Sequence, residues 1–162
     1  GGVQMALEGD DFPQQRTGPK AFTEYSFNAI LVMVGMIGSF MSVIGSASFY
    51  VFLLPFSSAF GSFFGSGIFV SGIIGLIMIP FGALQLYYAW KIHTENFTDF
   101  RTIIYISWTQ IVLAIVSALF MGFFIIVSIQ LIIGQLLLNI IVIFFLSKDE
   151  VQQEFTWKTG EY

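Results

Sequence analysis

Two long stretches of this chain are strongly apolar and contain no charged side chain. The first runs for 66 residues from Tyr25 to Trp90, and the second for 46 residues from Thr102 to Ser147. A membrane-spanning helix needs about 20 apolar residues, so each stretch is long enough for two spans. The pattern therefore predicts an all-α, polytopic membrane protein with four transmembrane helices in a bundle.

Turn-forming residues divide each stretch into two spans. We expect the segment 55–66, which begins at Pro55 and is rich in Gly, Ser and Phe, to form a short external loop or to dip into the membrane interface. One helix over the second stretch would be about 69 Å long, against a hydrocarbon core of about 30 Å. Gly122 is the best breaker near its middle. The predicted spans are 27–54, 67–90, 102–121 and 125–147, between a polar N-terminal tail, 1–24, and a polar C-terminal tail, 148–162.

The positive charges predict which way the spans point. With four spans, both tails and the middle loop lie on the same side of the membrane. They carry all six basic residues: Arg16, Lys20, Lys91, Arg101, Lys148 and Lys158. Basic residues are enriched in cytoplasmic segments, so we expect both termini in the cytoplasm. Aromatic residues that favour membrane interfaces fall near the same ends: Tyr25, Tyr87, Tyr88, Trp90, Tyr105 and Trp108.

Composition supports a lipid environment and excludes several classes of function. The 162 residues are 56% hydrophobic and 18% aromatic, more apolar than a soluble domain of this size can bury. The net charge of -4 comes without a basic stripe, which argues against a nucleic-acid partner. The chain contains no cysteine, which excludes disulfides, thiolate metal sites and a cysteine nucleophile.

Small residues recur every four positions in three of the predicted spans. Because lipid tails are as apolar as leucine, membrane helices associate where small side chains let their backbones approach. The stripes pack either within one bundle or against another subunit, and a solute path beside their serines is a third interpretation. They consist of Gly38, Ser42 and Ser46; Gly67, Ser71 and Gly75; and Ala114, Ala118 and Gly122.

Amides are the most polar groups in the predicted spans: Gln85, Gln110, Gln130, Gln135 and Asn139. Gln110 lies nine residues after Arg101, and Asn139 lies nine residues before Lys148, so both should sit about 14 Å deep. Gln135 shares a helix face with Asn139. We expect Gln110, Gln135 and Asn139 to form an intramembrane polar cluster that joins the last two spans.

Pro80 is expected to kink the second span near the middle of the membrane. It lies 11 residues before Lys91, which is about 16 Å at helical rise. A structural bend is the plainer interpretation, and a gating hinge is the alternative.

The sequence contains no recognisable catalytic, cofactor-binding or metal-binding motif. Outside the tails, the only cluster of ionisable residues lies in the middle loop, where His93, Glu95 and Asp99 follow no ligand spacing typical of a metal site. A single histidine excludes bis-histidine haem ligation within this chain. We therefore expect no cofactor and no catalytic residue.

The last predicted span and the segment after it carry one resemblance. A run from Leu138 and Asn139 to Leu146 is followed by the charged segment Lys148 to Val151 and by Phe155. This pattern resembles the closing helix of uncharacterised prokaryotic four-span membrane proteins. The resemblance implies the topology and no activity. The general plan is also similar to eukaryotic tetraspan proteins, but the cysteine-rich external loop of those proteins is absent.

Two hypotheses about function follow. The leading one is a noncatalytic accessory or scaffolding subunit of a larger membrane complex, whose partners are the lipid bilayer and other membrane subunits or further copies of itself. The alternative is a small channel or carrier for a neutral solute or ion, formed by one chain or by a homo-oligomer. Ser42, Ser46 and the amide cluster would then line its route. An enzyme ranks third, because it would need chemistry from the middle loop or from a partner's cofactor.

Overall fold

The computed structural model describes residues 21–56, 61–121 and 125–156, with side chains described at all of these except 61–65, 121, 125–128, 130 and 131. These residues form two 3-10 turns, Phe22–Glu24 and 54–56, and α-helices without any strand. In chain order the helices are α1 Phe27–Leu53, α2 Gly61–Thr94, α3 Phe100–Met121, α4 Ile125–Leu146 and α5 Asp149–Phe155. The all-α fold class predicted from the apolar pattern is confirmed for these residues.

Several helices have the length and composition required to cross a membrane. Three segments meet this requirement alone: Phe27–Phe56, Ser66–Thr94 and Phe100–Phe120. Ile132–Leu146, the part of α4 that enters this comparison, meets it only together with α5, from which it is bent by 87°. The described chain thus has three such helices, or four if the bent pair is one span. Either number is compatible with a multi-pass membrane protein.

The four long helices pack as a ring. α1 contacts α2 and α4, and α3 contacts the same two helices from the other side. The connections between consecutive helices are short, so neighbouring helices run in opposite directions. Lys91, Arg101 and Lys148 consequently lie at one end of the ring, which we call the charged end.

The outside and the inside of this ring differ in polarity in the way expected for a protein in a bilayer. Large apolar side chains cover the outside, and Phe27, Met41, Phe52, Leu119 and Phe144 each expose more than half of their surface. Serine and amide side chains are buried between the helices. A soluble protein would bury the phenylalanines first, because removing apolar surface from water is the main gain in folding.

α2 is longer than the predicted span 67–90 at both ends. It begins at Gly61, so Gly61 to Ser66 are helical and the predicted loop 55–66 is shorter than expected; residues 57–60 of that loop lie outside the described residues. It continues to Thr94 because Ile92 is fully buried and Lys91 and His93 occupy its last turn, where basic residues interact favourably with the helix dipole. The apolar stretch thus ends before Lys91, whereas the helix continues past this residue.

The C-terminal segment is not simply a polar tail. Residues Asp149–Phe155 form α5, and Val151 and Phe155 on this helix are buried against the charged end of the ring. Phe155 packs on Tyr25 and Phe100, with ring centroids 5.5 and 6.4 Å apart. Tyr25, one of the aromatic residues expected near the membrane interface, is 5% exposed in this contact.

Candidate functional site: a buried amide and hydroxyl cluster

The most polar part of the ring interior is a group of side chains from all four long helices. Each is at most 2% exposed. We call this group the central cluster, and it consists of Ser39 on α1, Gln85 on α2, Ser107 and Gln110 on α3, and Gln135 and Asn139 on α4.

Ser39 is the centre of the hydrogen bonds in this cluster. Its Oγ donates to Gln85 Oε1 at 2.7 Å. The same oxygen accepts from Gln135 Nε2 at 2.9 Å and from Asn139 Nδ2 at 3.1 Å. One donated and two accepted bonds are the full capacity of a serine hydroxyl. A single small side chain on α1 therefore holds α2 and α4 together.

Gln85 extends the cluster to α3. Its Nε2 donates to Asn139 Oδ1 at 2.7 Å and to Ser107 Oγ at 3.3 Å. Gln110 Nε2 donates to the backbone oxygen of Met78 at 3.2 Å and lies 3.5 Å from Gln85 Oε1. Gln110 and Asn139, which the sequence places at the same depth, thus belong to one cluster and are joined through Gln85.

The backbone determines which way the amides point. The main-chain oxygen of Gln135 can only accept, and Asn139 Nδ2 donates to it at 2.7 Å. Asn139 Oδ1 therefore faces Gln85, which must present its amide nitrogen there. Gln85 Oε1 then accepts the single proton of Ser39, so Gln135 must present Nε2 to Ser39. The orientation of each amide follows from the one before it.

Two buried acceptors receive no hydrogen bond from the described residues. They are the side-chain oxygens Gln110 Oε1 and Gln135 Oε1. Leaving a buried amide oxygen unpaired costs about 1–3 kcal/mol. Both oxygens are therefore places where a further hydrogen-bond donor would be stabilising.

A second, smaller group of polar side chains lies in the ring on the side away from the charged end. Ser71 Oγ donates to the backbone oxygen of Ser117 at 3.0 Å, and Ser117 Oγ donates to Tyr50 Oη at 3.2 Å. Ser71, Ser117 and Tyr50 are each at most 3% exposed. We call them the tyrosine cluster; they join α1, α2 and α3.

These groups are suited to holding helices or a neutral molecule. Amides and aliphatic hydroxyls do not ionise near neutral pH, so they donate and accept hydrogen bonds without carrying charge.

The described residues include no group of three or more His, Asp or Glu that could hold a metal ion. At the charged end, His93 Nδ1 lies 3.1 Å from Tyr25 Oη, and Asp99 accepts from Thr102 Oγ1 at 2.6 Å.

The stripe on α1 faces α4. A Cβ built on Gly38 would lie 3.2 Å from Leu138 Cδ1, and Ser42 Oγ lies 3.8 Å from a Cβ built on Gly134. Ser46, in turn, lines a small cavity together with residues of all three neighbouring helices.

The stripes on α2 and α3 also lie at contacts within the ring. A Cβ on Gly67 would overlap the backbone oxygen of Phe120, and one on Gly75 would lie 3.3 Å from Tyr50 Cδ2. Ala114 is 4% exposed and Ala118 is partly buried. Gly122 lies outside the described residues, as does the side chain of Gln130.

Pro80 lies inside α2, which continues through it, and its side chain is exposed on the outside of the ring. It is five residues from Gln85. The backbone oxygen of Met78, two residues before Pro80, accepts the Gln110 amide, so the central cluster contacts α2 beside its proline.

Sequence reasoning missed the positions of Ser39, Ser107 and Gln85 in the cluster. Depth could have placed Gln85, because it lies nine residues before the true end of α2 at Thr94, the same distance that separates Asn139 from Lys148. Measured from Lys91, where the span was expected to stop, Gln85 is only six residues deep. Ser39 lies 13 residues after Ser26, the cap of α1, which is about 20 Å and matches the depth of Gln135.

Comparison with protein families, with curated proteins and with solved structures finds no match to this chain.

Proposed function

We propose that this chain is a noncatalytic accessory or scaffolding subunit of a larger membrane assembly. The observation that carries the proposal is that the buried polar groups form hydrogen bonds between the helices. In the central cluster, amides and hydroxyls from α1, α2, α3 and α4 bond to one another and to the backbone. Polar groups that bond to one another in this way hold the four helices together. The surface that remains for contacts with other molecules is the outside of the ring.

The proposed setting is a four-span bundle in which α1 to α4 each cross the membrane. α4 has 22 residues, about 33 Å at helical rise, which matches the hydrocarbon core. If α4 runs along the membrane normal, the 87° bend lays α5 along the membrane surface. Lys91, Arg101 and Lys148 share the charged end, so the positive-inside rule favours the cytoplasm for this end and for both termini.

The partner surface in this proposal is an outward face of the ring. The small-residue stripes, which suggested a partner interface from sequence, are occupied by contacts inside the ring at Gly67, Ser71 and Gly75. Substituting Ser71 would therefore test internal packing, because its hydroxyl is bonded to α3. Partners that fit the outward faces are other apolar helices, from different subunits or from a second copy of this chain.

Native mass spectrometry after extraction from the cell's own membrane in a mild detergent tests the proposal. We expect at least one other chain in constant stoichiometry. A monomer with no copurifying chain, extracted from its own membrane, would contradict the proposal.

Tryptophan substitutions on the outward faces then locate the partner. Met41, Leu76, Val112 and Ile140 each expose more than half of their surface, one on each helix. At a lipid-facing position, tryptophan should leave the copurifying set unchanged. At the partner-facing position, it should remove the partner while the chain remains folded. If all four variants retain the whole set, the outward faces at these positions are not the interface.

A channel or carrier for a neutral solute or ion is the second candidate, favoured by one observation. The tyrosine cluster and the central cluster follow one another along the inside of the ring, so polar side chains extend over much of its length. Flux of water, small neutral solutes or ions into proteoliposomes, abolished by Asn139→Leu and retained by Ser48→Ala on the exposed face of α1, would favour this function. The absence of flux for all of them would count against it.

A further inference from the structure

A small cavity lies between the two polar clusters, inside the ring. Its volume is about 10 Å³, measured as the space open to the centre of a water molecule. Because this volume counts positions of the water's centre, the cavity has room for one water molecule, which itself fills about 10–15 Å³. The cavity is lined by Ser46, Tyr50, Met78, Ala114, Ser117, Ile132 and Gln135, so all four long helices contribute to its wall.

One residue of the cavity wall, Gln135, carries an acceptor without a donor among the described residues. Gln135 is 2% exposed, and its Oε1 receives no hydrogen bond from the described residues. The amide cannot simply turn over, because Ser39 has given its proton to Gln85 and requires Gln135 Nε2 as donor. Gln135 Oε1 therefore remains an unpaired acceptor, on a residue that lines the cavity.

Two other residues of the cavity wall, Tyr50 and Ser117, hold a hydroxyl proton without an acceptor among the described residues. Tyr50 and Ser117 are joined by one hydrogen bond between their hydroxyls, 3.2 Å long. Such a pair has two protons and uses one of them in the bond, so the other hydroxyl hydrogen remains to be donated. Both side chains line the cavity, and Ser46 adds a further hydroxyl to its wall.

We propose that this cavity is the binding site of a single water molecule that bridges Tyr50 and Gln135. The water accepts the remaining hydroxyl proton of the Tyr50–Ser117 pair and donates to Gln135 Oε1. Ser46 supplies a third partner, within the two to four that buried waters make. A dry, apolar filling would leave both groups unpaired, whereas water satisfies both at once.

The water joins the two clusters into one hydrogen-bonded chain. The chain runs from Ser71 through Ser117 and Tyr50 to the water, and then through Gln135 and Ser39 to Gln85 and Ser107. This inference does not rest on the accessory-subunit proposal, since it concerns the interior of the ring and its tests measure stability and electron density.

Two isosteric substitutions at the cavity wall separate a wet site from a dry one. Ala114 is 4% exposed and lines the cavity, and Ala114→Thr and Ala114→Val add nearly the same volume. Both displace the water, but only threonine brings a hydroxyl that can donate to Gln135. We expect the threonine variant to melt higher than the valine variant by about 3 °C or more.

The same pair of substitutions at Ile115, which is 46% exposed on the outside of α3, measures the difference between threonine and valine in a lipid-facing position. There we expect valine to equal or exceed threonine. If valine equals or exceeds threonine at position 114 as well, the cavity is dry and the proposal is overturned.

A crystal structure of the unsubstituted protein at a resolution that shows other internal waters gives a direct test that does not depend on the variants folding. We expect a density peak within hydrogen-bond distance of both Tyr50 Oη and Gln135 Oε1. A map that resolves other buried waters and shows no peak between these two atoms would refute the proposal.

Discussion

Ser39 shows how much one small residue can do inside a membrane protein. Its hydroxyl bonds to Gln85 on α2 and to Gln135 and Asn139 on α4. Single hydrogen bonds between membrane helices contribute only about 0.6 kcal/mol on average, because the unfolded chain also finds partners in the bilayer. A hydroxyl whose three bonds all reach other helices should contribute more than one average bond.

We expect Ser39→Ala to lower the free energy of unfolding by about 1–2 kcal/mol, because it leaves amide groups of three residues with fewer partners in a buried site. Reversible unfolding in mixed micelles measures this loss. Ser48→Ala, on the exposed face of the same helix, is the matched control and should change stability by less than about 0.5 kcal/mol. Equal effects of the two variants would show that the cluster does not hold the helices together.

The amides also show what depth along a sequence can and cannot predict. Counting residues from the nearest charge placed Gln110 and Asn139 at the same depth, because α3 begins close to Arg101 and α4 ends close to Lys148. The same counting from Lys91 would place Gln85 too close to the membrane surface, since α2 extends three residues beyond Lys91. Ser39 gave no signal of its own among the many serines of α1. Which serine meets the amides depends on helix rotation, which the sequence does not fix.

At the scale of elements, the position of α2 against α3 depends on one close approach. A Cβ on Gly67 would overlap the backbone oxygen of Phe120. A backbone atom cannot turn aside as a side chain can, so the two helices would have to separate. At Gly72, five residues further along α2, the nearest atoms to such a Cβ are side-chain carbons at 3.8 and 3.9 Å, which is ordinary contact.

Gly67→Ala should therefore destabilise the protein by about 1–3 kcal/mol, although alanine favours the helix itself. Gly72→Ala, which gains the same helix propensity without a clash, should be neutral or slightly stabilising. Thermal unfolding of the two variants in the same detergent compares them. A Gly67→Ala protein as stable as the Gly72→Ala protein would mean that the α2–α3 contact is looser than described.

The docking of α5 is the second element-scale feature with a measurable consequence. Val151 and Phe155 are buried against the charged end, and Glu154 accepts hydrogen bonds from the backbone nitrogen and hydroxyl of Ser26, the cap of α1. Phe155→Ala removes the ring that packs on Tyr25, so α5 should detach while the four long helices stay folded.

Hydrogen–deuterium exchange followed by mass spectrometry measures this detachment. We expect exchange over 149–155 to rise at least about tenfold in Phe155→Ala, as for loss of a buried aromatic contact. Gln153→Ala, which changes an exposed residue of the same helix, should exchange like the unsubstituted protein. If Phe155→Ala leaves α5 equally protected, the helix is held by contacts other than this ring.

Element boundaries were predictable where the apolar pattern and the helix end together. α1, α3 and α4 lie within two residues of their expected bounds, but α2 extends beyond its apolar run at both ends. α5 was hidden because its seven residues present only two buried apolar side chains. A charged segment of this composition reads as a solvated tail until the surface that covers Val151 and Phe155 is known.

At the scale of the whole molecule, the positive charges are distributed unequally between the two ends of the ring. The described basic residues Lys91, Arg101 and Lys148 lie at one end of the ring, and α1 ends at the other. The positive-inside rule converts this asymmetry into an orientation, with the charged end in the cytoplasm. This orientation remains a prediction, and it decides which surfaces partners can reach.

The chain contains no cysteine, so single cysteines can be placed at each end without background labelling. Thr98 lies in the loop between α2 and α3 at the charged end, and Phe56 follows α1 at the other end; both are exposed. In intact cells, a membrane-impermeant maleimide should label Phe56→Cys and leave Thr98→Cys unlabelled, and permeabilised cells should show both labelled. The reverse pattern in intact cells would invert the proposed orientation. Labelling of both positions in intact cells would contradict the antiparallel four-span arrangement, because a single membrane could not then separate the two ends of the ring.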